Sequence, residues 1–315
     1  MKLAELPYAP FFLALYLGSS GVRKGSLSPS GGIAAFAVGF TMMVVPLRAF
    51  GVILIGFYLI GSKATKYGVA RKSLLEDSHH AAGNRTAMQV LCNSFSAFVA
   101  AILWSAMFVP NSVAAGLLSR VGIAGVPVQR PYDFDGWCPL ESRVADGWSR
   151  VLLFVALGHF ACCLGDTLAS ELGILAPSPP RLITTLQPVP PGTNGGVSFN
   201  GLVFSTLGGT VIGFILSLSL LAESSACRAE WTEVLLPLLV WGSFGGLFGS
   251  LLDSVLGATV QRTKYSVGKK LILTDESPAQ TEGIRVISGV DILSNNQVCT
   301  ITIGRSSKCV LTMLR

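Results

Sequence analysis

Apolar residues gather into seven runs, at about 8–21, 31–46, 49–62, 88–109, 151–165, 197–222 and 234–260, separated by short polar segments and one long one from Pro110 to Arg150. A helix needs roughly 20 residues to cross the hydrocarbon core of a bilayer. The runs at 88–109, 197–222 and 234–260 reach that length. Those at 8–21, 31–46 and 49–62 are short, and Pro46 with Arg48 separates the last two. They could form a tight hairpin, one long broken segment or re-entrant pieces. The pattern predicts an all-α, polytopic integral membrane bundle of about six or seven spans. We divide it into a transmembrane helical domain with polar loops, 1–262, and a polar C-terminal tail, 263–315.

Composition agrees. Half of the residues are hydrophobic, 13% are charged and the mean hydropathy is +0.60, whereas soluble domains carry about 25% charged residues. The start, Met1 and Lys2 before an apolar run, could pass for a signal peptide, but further apolar runs follow at once. No Arg-rich amphipathic leader is present, so an endomembrane such as the endoplasmic reticulum is expected rather than a plastid. Seven cysteines show no metal-ligand spacing, and their odd number argues against a disulfide framework.

The net charge of +6 matters through its placement, and no nucleic-acid partner is expected from it. With seven spans and the N-terminus outside, the segments 22–30, 63–87, 166–196 and the tail share one face, which holds 16 of the 23 Lys and Arg residues. The positive-inside bias makes that face cytosolic and the Pro110–Arg150 loop lumenal or extracellular. Half of that count comes from one long tail, which the rule weights lightly.

Polar residues within the spans carry the candidate chemistry, because ionisable groups at membrane depth are costly without a role. Gly245, Gly249, Asp253 and Gly257 recur every four residues, a small-residue face that lets another helix approach and turns Asp253 into the bundle. Arg85, Gln89 and Asn93 form a second stripe at the start of the run at 88–109; the guanidinium could fork onto a phosphate or snorkel to the interface. In the third, Asp166 shares a small-residue face with Ala169, Ser170 and Gly173. Glu171 falls about 140° away from Asp166 on a regular helix. Either the helix breaks there or each acid takes partners from other segments.

The stretch Pro190 to Gly196 (Gly192, Thr193, Asn194, Gly195, Gly196) precedes an apolar helix and reads either as an anion-binding loop or as plain turn chemistry. It lacks the Lys of a Walker loop. Arg181, Thr184 and Thr185 favour the anion reading, and Lys63 and Lys66 could assist or merely anchor their helix at the headgroups. His79, His80 and His159 have no acid at helical spacing and read as solvent-facing or satisfied.

These motifs, Gly165 to Gly173, Pro180 to Thr185, Val189 to Val197, Gly249 to Gln261 and Gly83 to Asn93, together resemble the transmembrane protein 19 family (domain of unknown function 92) over about residues 8–298. The resemblance implies a possible function. Plant members are assigned as phytyl-phosphate kinases, which raise an isoprenyl monophosphate to its diphosphate with a nucleotide donor. Carried over, this makes Asp166, Glu171 and Asp253 the catalytic candidates, with Asp166 and Asp253 holding an inferred Mg²⁺. Arg85, Arg181, Thr184, Thr185 and the Gly192–Gly196 loop become the phosphate binders. Lys63, Lys66, Gln89, Asn93 and Gln261 become supporting polar groups, and CTP or ATP the donor. After Asn296 the chain departs from the family, which continues into a last hydrophobic span; here Val298 to Arg315 has none comparable. The alternatives are a transporter or flippase of an anionic lipid or small anion, and a structural membrane protein without a ligand.

Overall fold

The computed structural model describes residues 7–72, 83–110, 112–120, 131–175, 178–268, 271–273 and 283–292. Its helices are α1 (Tyr8–Arg23), α2 (Pro29–Val44), α3 (Ala49–Lys66), α4 (Val69–Lys72), α5 (Ala87–Cys92), α6 (Phe95–Phe108), α7 (Val113–Arg120), α8 (Trp148–Gly173), α9 (Phe199–Glu223), α10 (Ser225–Ala229) and α11 (Trp231–Val260). Strands β1 (Arg181–Leu182) and β2 (Gly196–Val197) pair in one loop, and β3 (Thr263–Ser266), β4 (Leu271–Leu273) and β5 (Ile284–Ser288) form an antiparallel sheet after α11. The bundle is helical, as its periodicity predicts. Four of the described helices are long and apolar enough to cross a membrane: α3, α8, α9 and α11. Pro29–Val44 and Phe95–Phe108 are apolar but shorter, so a count of six or seven full spans does not follow from helix length.

Local chemistry explains the helix starts. Ser28 accepts from the Gly31 amide with Pro29 at the first helical position of α2. Ser198 caps α9 in the same way through the Gly201 amide. Thr86 and Gln89 form a reciprocal capping box on α5. The run at 88–109 is not one helix. It breaks at Asn93–Ser94, where the Ser94 hydroxyl donates back to the carbonyl of Val90 at 2.8 Å.

Helix α8 is the axis of the molecule. It packs against α9, α11, α6 and α3, and an unbroken run from Ala156 to Gly165 along it is buried. On its α9 and α11 side the contact is made backbone to backbone. A Cβ at Gly165 would lie 2.8 Å from the Gly246 Cα, and one at Gly208 would lie 2.8 Å from the Gly165 Cα. On its other side larger side chains fill the space: Phe160 meets Phe57, and the Trp104 indole donates to Ser149 at 2.8 Å.

The loops sort to two ends. At one, Leu27 bridges to Arg85, Lys66 donates to the Lys24 carbonyl and Lys72 reaches Glu171. At the other, the Glu223 carboxylate accepts from the Arg48 amide, Ser225 donates to Asp135, and Cys138 is bonded to Cys227. That disulfide overturns the expectation drawn from the odd cysteine number. Cys92, Cys162 and Cys163 form no disulfide, so the odd count is compatible with a single bridge among the described residues.

Candidate functional site

A polar cavity of about 330 Å³ opens between α8, α9 and α11 at the end where the basic loops gather. Asp166 and Ser170 line it from α8, Ser250 and Asp253 from α11, and Ser198 and Gly201 from the start of α9. The Gly192–Gly196 loop and Gln261 complete the wall. The position follows from packing: one residue before Asp166, Gly165 draws the three helices to backbone contact, and α8 meets α9 again at Gly173, where a Cβ would lie 3.0 Å from the Gly201 Cα. The α11 stripe behaves as its spacing predicts. Gly245 meets Gly158 and Ala161 of α8, Gly249 lies against Cys162, and Gly257 faces Asn194 and Gly195. Asp253 lies between those contacts and lines the cavity.

Asp166 accepts a hydrogen bond from the Ser250 side chain and feels the Asp253 carboxylate electrostatically. Both acids are half-buried. Two carboxylates that face one another repel unless a proton or a cation lies between them. Among the described residues no cluster of three or more His, Cys, Asp or Glu forms a metal cage. Two carboxylates do suit Mg²⁺, which is bound through one or two acids and keeps water or phosphate in its other positions.

The glycine-rich loop is held mainly by its own bonds. The Thr193 amide donates to the Pro190 carbonyl, the Gly196 amide to the Thr193 carbonyl, and the Asn194 amide to the Thr263 hydroxyl. Three of the loop's five amides are thereby engaged, so donors for an anion come chiefly from the opening turn of α9 beside it. Gly195 adopts φ +79° and lies against α11, where a Cβ would strike Ala258 and the Ser254 carbonyl. Glycine is required there on both counts.

The other candidates lie apart. Glu171 leaves the Asp166 face as the helical spacing requires, because α8 does not break; it pairs with Lys72 at 2.6 Å. Lys72 also donates to the carbonyls of Ala64 and Thr65, closing the C-terminus of α3. Arg85 is half-buried against α3, donating to Ser62 and Thr65 at 3.3 Å each. Burial pulls its pKa below the usual arginine value, while the Glu171 charge acts in the opposite sense. Gln89 is spent on the α5 cap, and Asn93 ends that helix, so Arg85, Gln89 and Asn93 do not form one helical face. Arg181 is exposed and donates to the Leu186 carbonyl at 2.8 Å. Thr184, Thr185, Lys63 and Lys66 are exposed, and none of them lines the cavity. His159 is buried and bonded to Ser96 at 2.7 Å, while His79 and His80 lie outside the described residues.

Sequence reasoning missed Ser250, Lys72, Thr263 and Ser288. The Ser288 hydroxyl donates to the Asn194 carbonyl and Thr263 bonds the Asn194 amide, so the sheet after α11 grips the loop from both sides. Ser250 was legible in principle, three residues before Asp253 on one helix face. The others depend on the chain folding back. The stretch after Asn296, where the chain departs from the family, lies outside the described residues.

Residues 12–304 match the family described as Integral membrane protein DUF92. The chain is 35% identical to Protein PGR of Arabidopsis thaliana over 284 residues, 89% of this chain and 86% of that protein. It is 29% identical to the uncharacterized membrane protein MJ0933 of Methanocaldococcus jannaschii over 46% of this chain and 60% of that one. With the uncharacterized membrane protein sll0875 of Synechocystis the identity is 37%, over 35% of this chain and 39% of that one. No solved structure matches. The chain belongs to the DUF92 family of integral membrane proteins.

Proposed function

We propose that this multi-pass protein is a Mg²⁺-dependent phosphotransferase that passes the terminal phosphoryl group of CTP or ATP to an isoprenyl monophosphate at the cytosolic surface of an endomembrane. The observation that carries this reading is the facing of Asp166 and Asp253 across one polar cavity beside the start of α9. Phosphoryl transfer asks mainly for positioning and charge neutralisation, which acids holding a divalent ion and helix-terminal amides supply. Bound between the two acids, Mg²⁺ would neutralise phosphate charge as it develops.

The chain's own residues do the rest. Ser250 fixes the Asp166 carboxylate by donating to it. The first amides of α9 precede any helical partner and offer donors to phosphate oxygens. Gly195, without a side chain, lets its loop lie on α11 and keeps the cavity wall thin. In the transfer, an oxygen of the lipid monophosphate attacks the terminal phosphorus of the nucleotide and the bond to the nucleoside diphosphate breaks. The products are a lipid diphosphate and a nucleoside diphosphate. The attacking oxygen is already anionic, so no general base is needed, and the acids serve as ligands. The Cys138–Cys227 disulfide at the opposite end supports the assignment, since such bonds persist in an oxidising lumen and the cavity then faces the nucleotide-rich side.

The test is an assay of the purified, reconstituted protein with Mg²⁺, either nucleotide and a panel of isoprenyl monophosphates. Lipid diphosphate should form, and Asp166→Asn or Asp253→Asn should each lower turnover by about 100-fold or more. No product from folded protein with either nucleotide would remove the kinase reading.

A further inference from the structure

A second recess lies on the other side of α8, and its chemistry is different. It is a narrow groove of about 80 Å³ between α1, α2, α3 and α5, lined almost wholly by apolar side chains such as Leu17, Val38, Met43, Leu54 and Phe57. Along α2 it extends from Ala35 to Met43, about 12 Å at the helical rise. Arg85 closes the end nearest the basic loops.

At Gly39 the wall of the groove is made of side chains and not of backbone. A Cβ there would have only Met43 and Ala14 near it, at 3.8 and 4.0 Å. Gly209, Gly213 and Gly246 of α9 and α11 lie tightly against backbone, whereas Gly39 has only side chains near it, at ordinary contact distance. Charge sets the other end. Residues 7–72 contain seven Lys and Arg and no Asp or Glu. Arg23, Lys24 and Lys66 are exposed at the end of α1 and α3, where Lys66 donates to the Lys24 carbonyl. The acid that faces Arg85, Glu171, is paired with Lys72.

We propose that this groove holds one hydrocarbon chain of an anionic membrane lipid, with Arg85 and the surrounding basic residues on its headgroup. A hydrocarbon chain is the apolar occupant that a bilayer supplies at this depth, and a cationic rim whose facing acid, Glu171, is already paired with Lys72 favours a negative head. The inference does not depend on phosphoryl transfer, since the groove and the acid cavity are separated by α8. They approach each other at Gly61, whose missing side chain leaves 3.8 Å to both Arg85 Nη2 and Thr167 Cγ2. A lipid head at Arg85 would thus sit one helix away from Asp166.

The test uses the full chain in phosphatidylcholine nanodiscs containing a trace of diazirine-tailed phosphatidic acid or, separately, diazirine-tailed phosphatidylcholine. Labelled positions are mapped by mass spectrometry. The anionic probe should label the Ala35–Met43 and Leu54–Tyr58 segments about fivefold more than the neutral probe, and Arg85→Gln should remove most of that preference. Gly39→Leu, whose Cβ would meet only the Met43 and Ala14 side chains, should abolish groove labelling while the exposed Phe12 and Tyr16 stay labelled. Ala35→Leu serves the same purpose should Gly39→Leu fail to fold. Equal labelling by both probes, or groove labelling that survives a folded filling variant, would overturn the proposal. Groove labelling in an unaltered chain that makes no lipid diphosphate would count against the phosphotransferase reading alone.

Discussion

Lys72 is the most telling single residue. Its side chain is 1% exposed, and its ammonium meets two α3 carbonyls and the Glu171 carboxylate. A buried ammonium is tolerable only when all its donors are used, and this one is bonded three times. The cation also lies at the helix end where partial negative charge collects. Lys72→Met should therefore destabilise the protein by about 3–5 kcal/mol, because it strands the Glu171 charge and two carbonyls. Lys72→Met with Glu171→Leu should recover part of that loss, which thermal unfolding of detergent-solubilised protein would register. The separation of Glu171 from Asp166 was legible from helical spacing alone. The role of Lys72 was not, since it depends on the chain reversing at Gly68, which takes φ +68°. The sequence marks a glycine there but does not say where the lysine four residues later will land.

Among the elements, α3 illustrates how helix ends are served from afar. Glu223 of α9 accepts from the amide at its start, and Lys72 closes its end, so both charges follow the helix dipole. The triple contact of α8, α9 and α11 is the stronger constraint. Gly209 and Gly242 lie against one another's backbone, and Gly213 lies against the Leu238 carbonyl. Gly246→Val should separate the three helices and cost at least the 1–3 kcal/mol usual for overpacking. Gly39→Ala should cost nothing and could gain about 1 kcal/mol from helix propensity. Parallel melting curves would separate these two kinds of glycine, which look alike in the sequence. Four-residue spacing made the α11 face legible, because its partner had only to be another helix. The break at Asn93–Ser94 was hidden, since apolar residues continue on both sides of it.

At the scale of the molecule, charge and covalent bonding point the same way. The acid cavity opens at the same end of the bundle as the basic loops, and the disulfide lies at the opposite end. Its partners are 89 residues apart, so reducing it should lower stability by about 2–5 kcal/mol through the freed loop. In sealed vesicles, impermeant thiol reagents should reach Cys138 and Cys227 after reduction only from the side remote from Asn194; labelling of either from the Asn194 side would refute that orientation. Fold class and the placing of the two acids on inward faces were readable early because each rests on local pattern. The sheet that grips Asn194 was not, as its strands pair residues brought together only after α11 ends. The backbone contacts of the three central helices also set how the molecule can deform. Helices that touch through glycine have no layer of side chains to shear, so sliding one past another would force peptide groups through each other. The walls of the acid cavity therefore behave as a single stiff body. Any widening of its entrance would have to come from the loop between α8 and α9 and the sheet bonded to that loop.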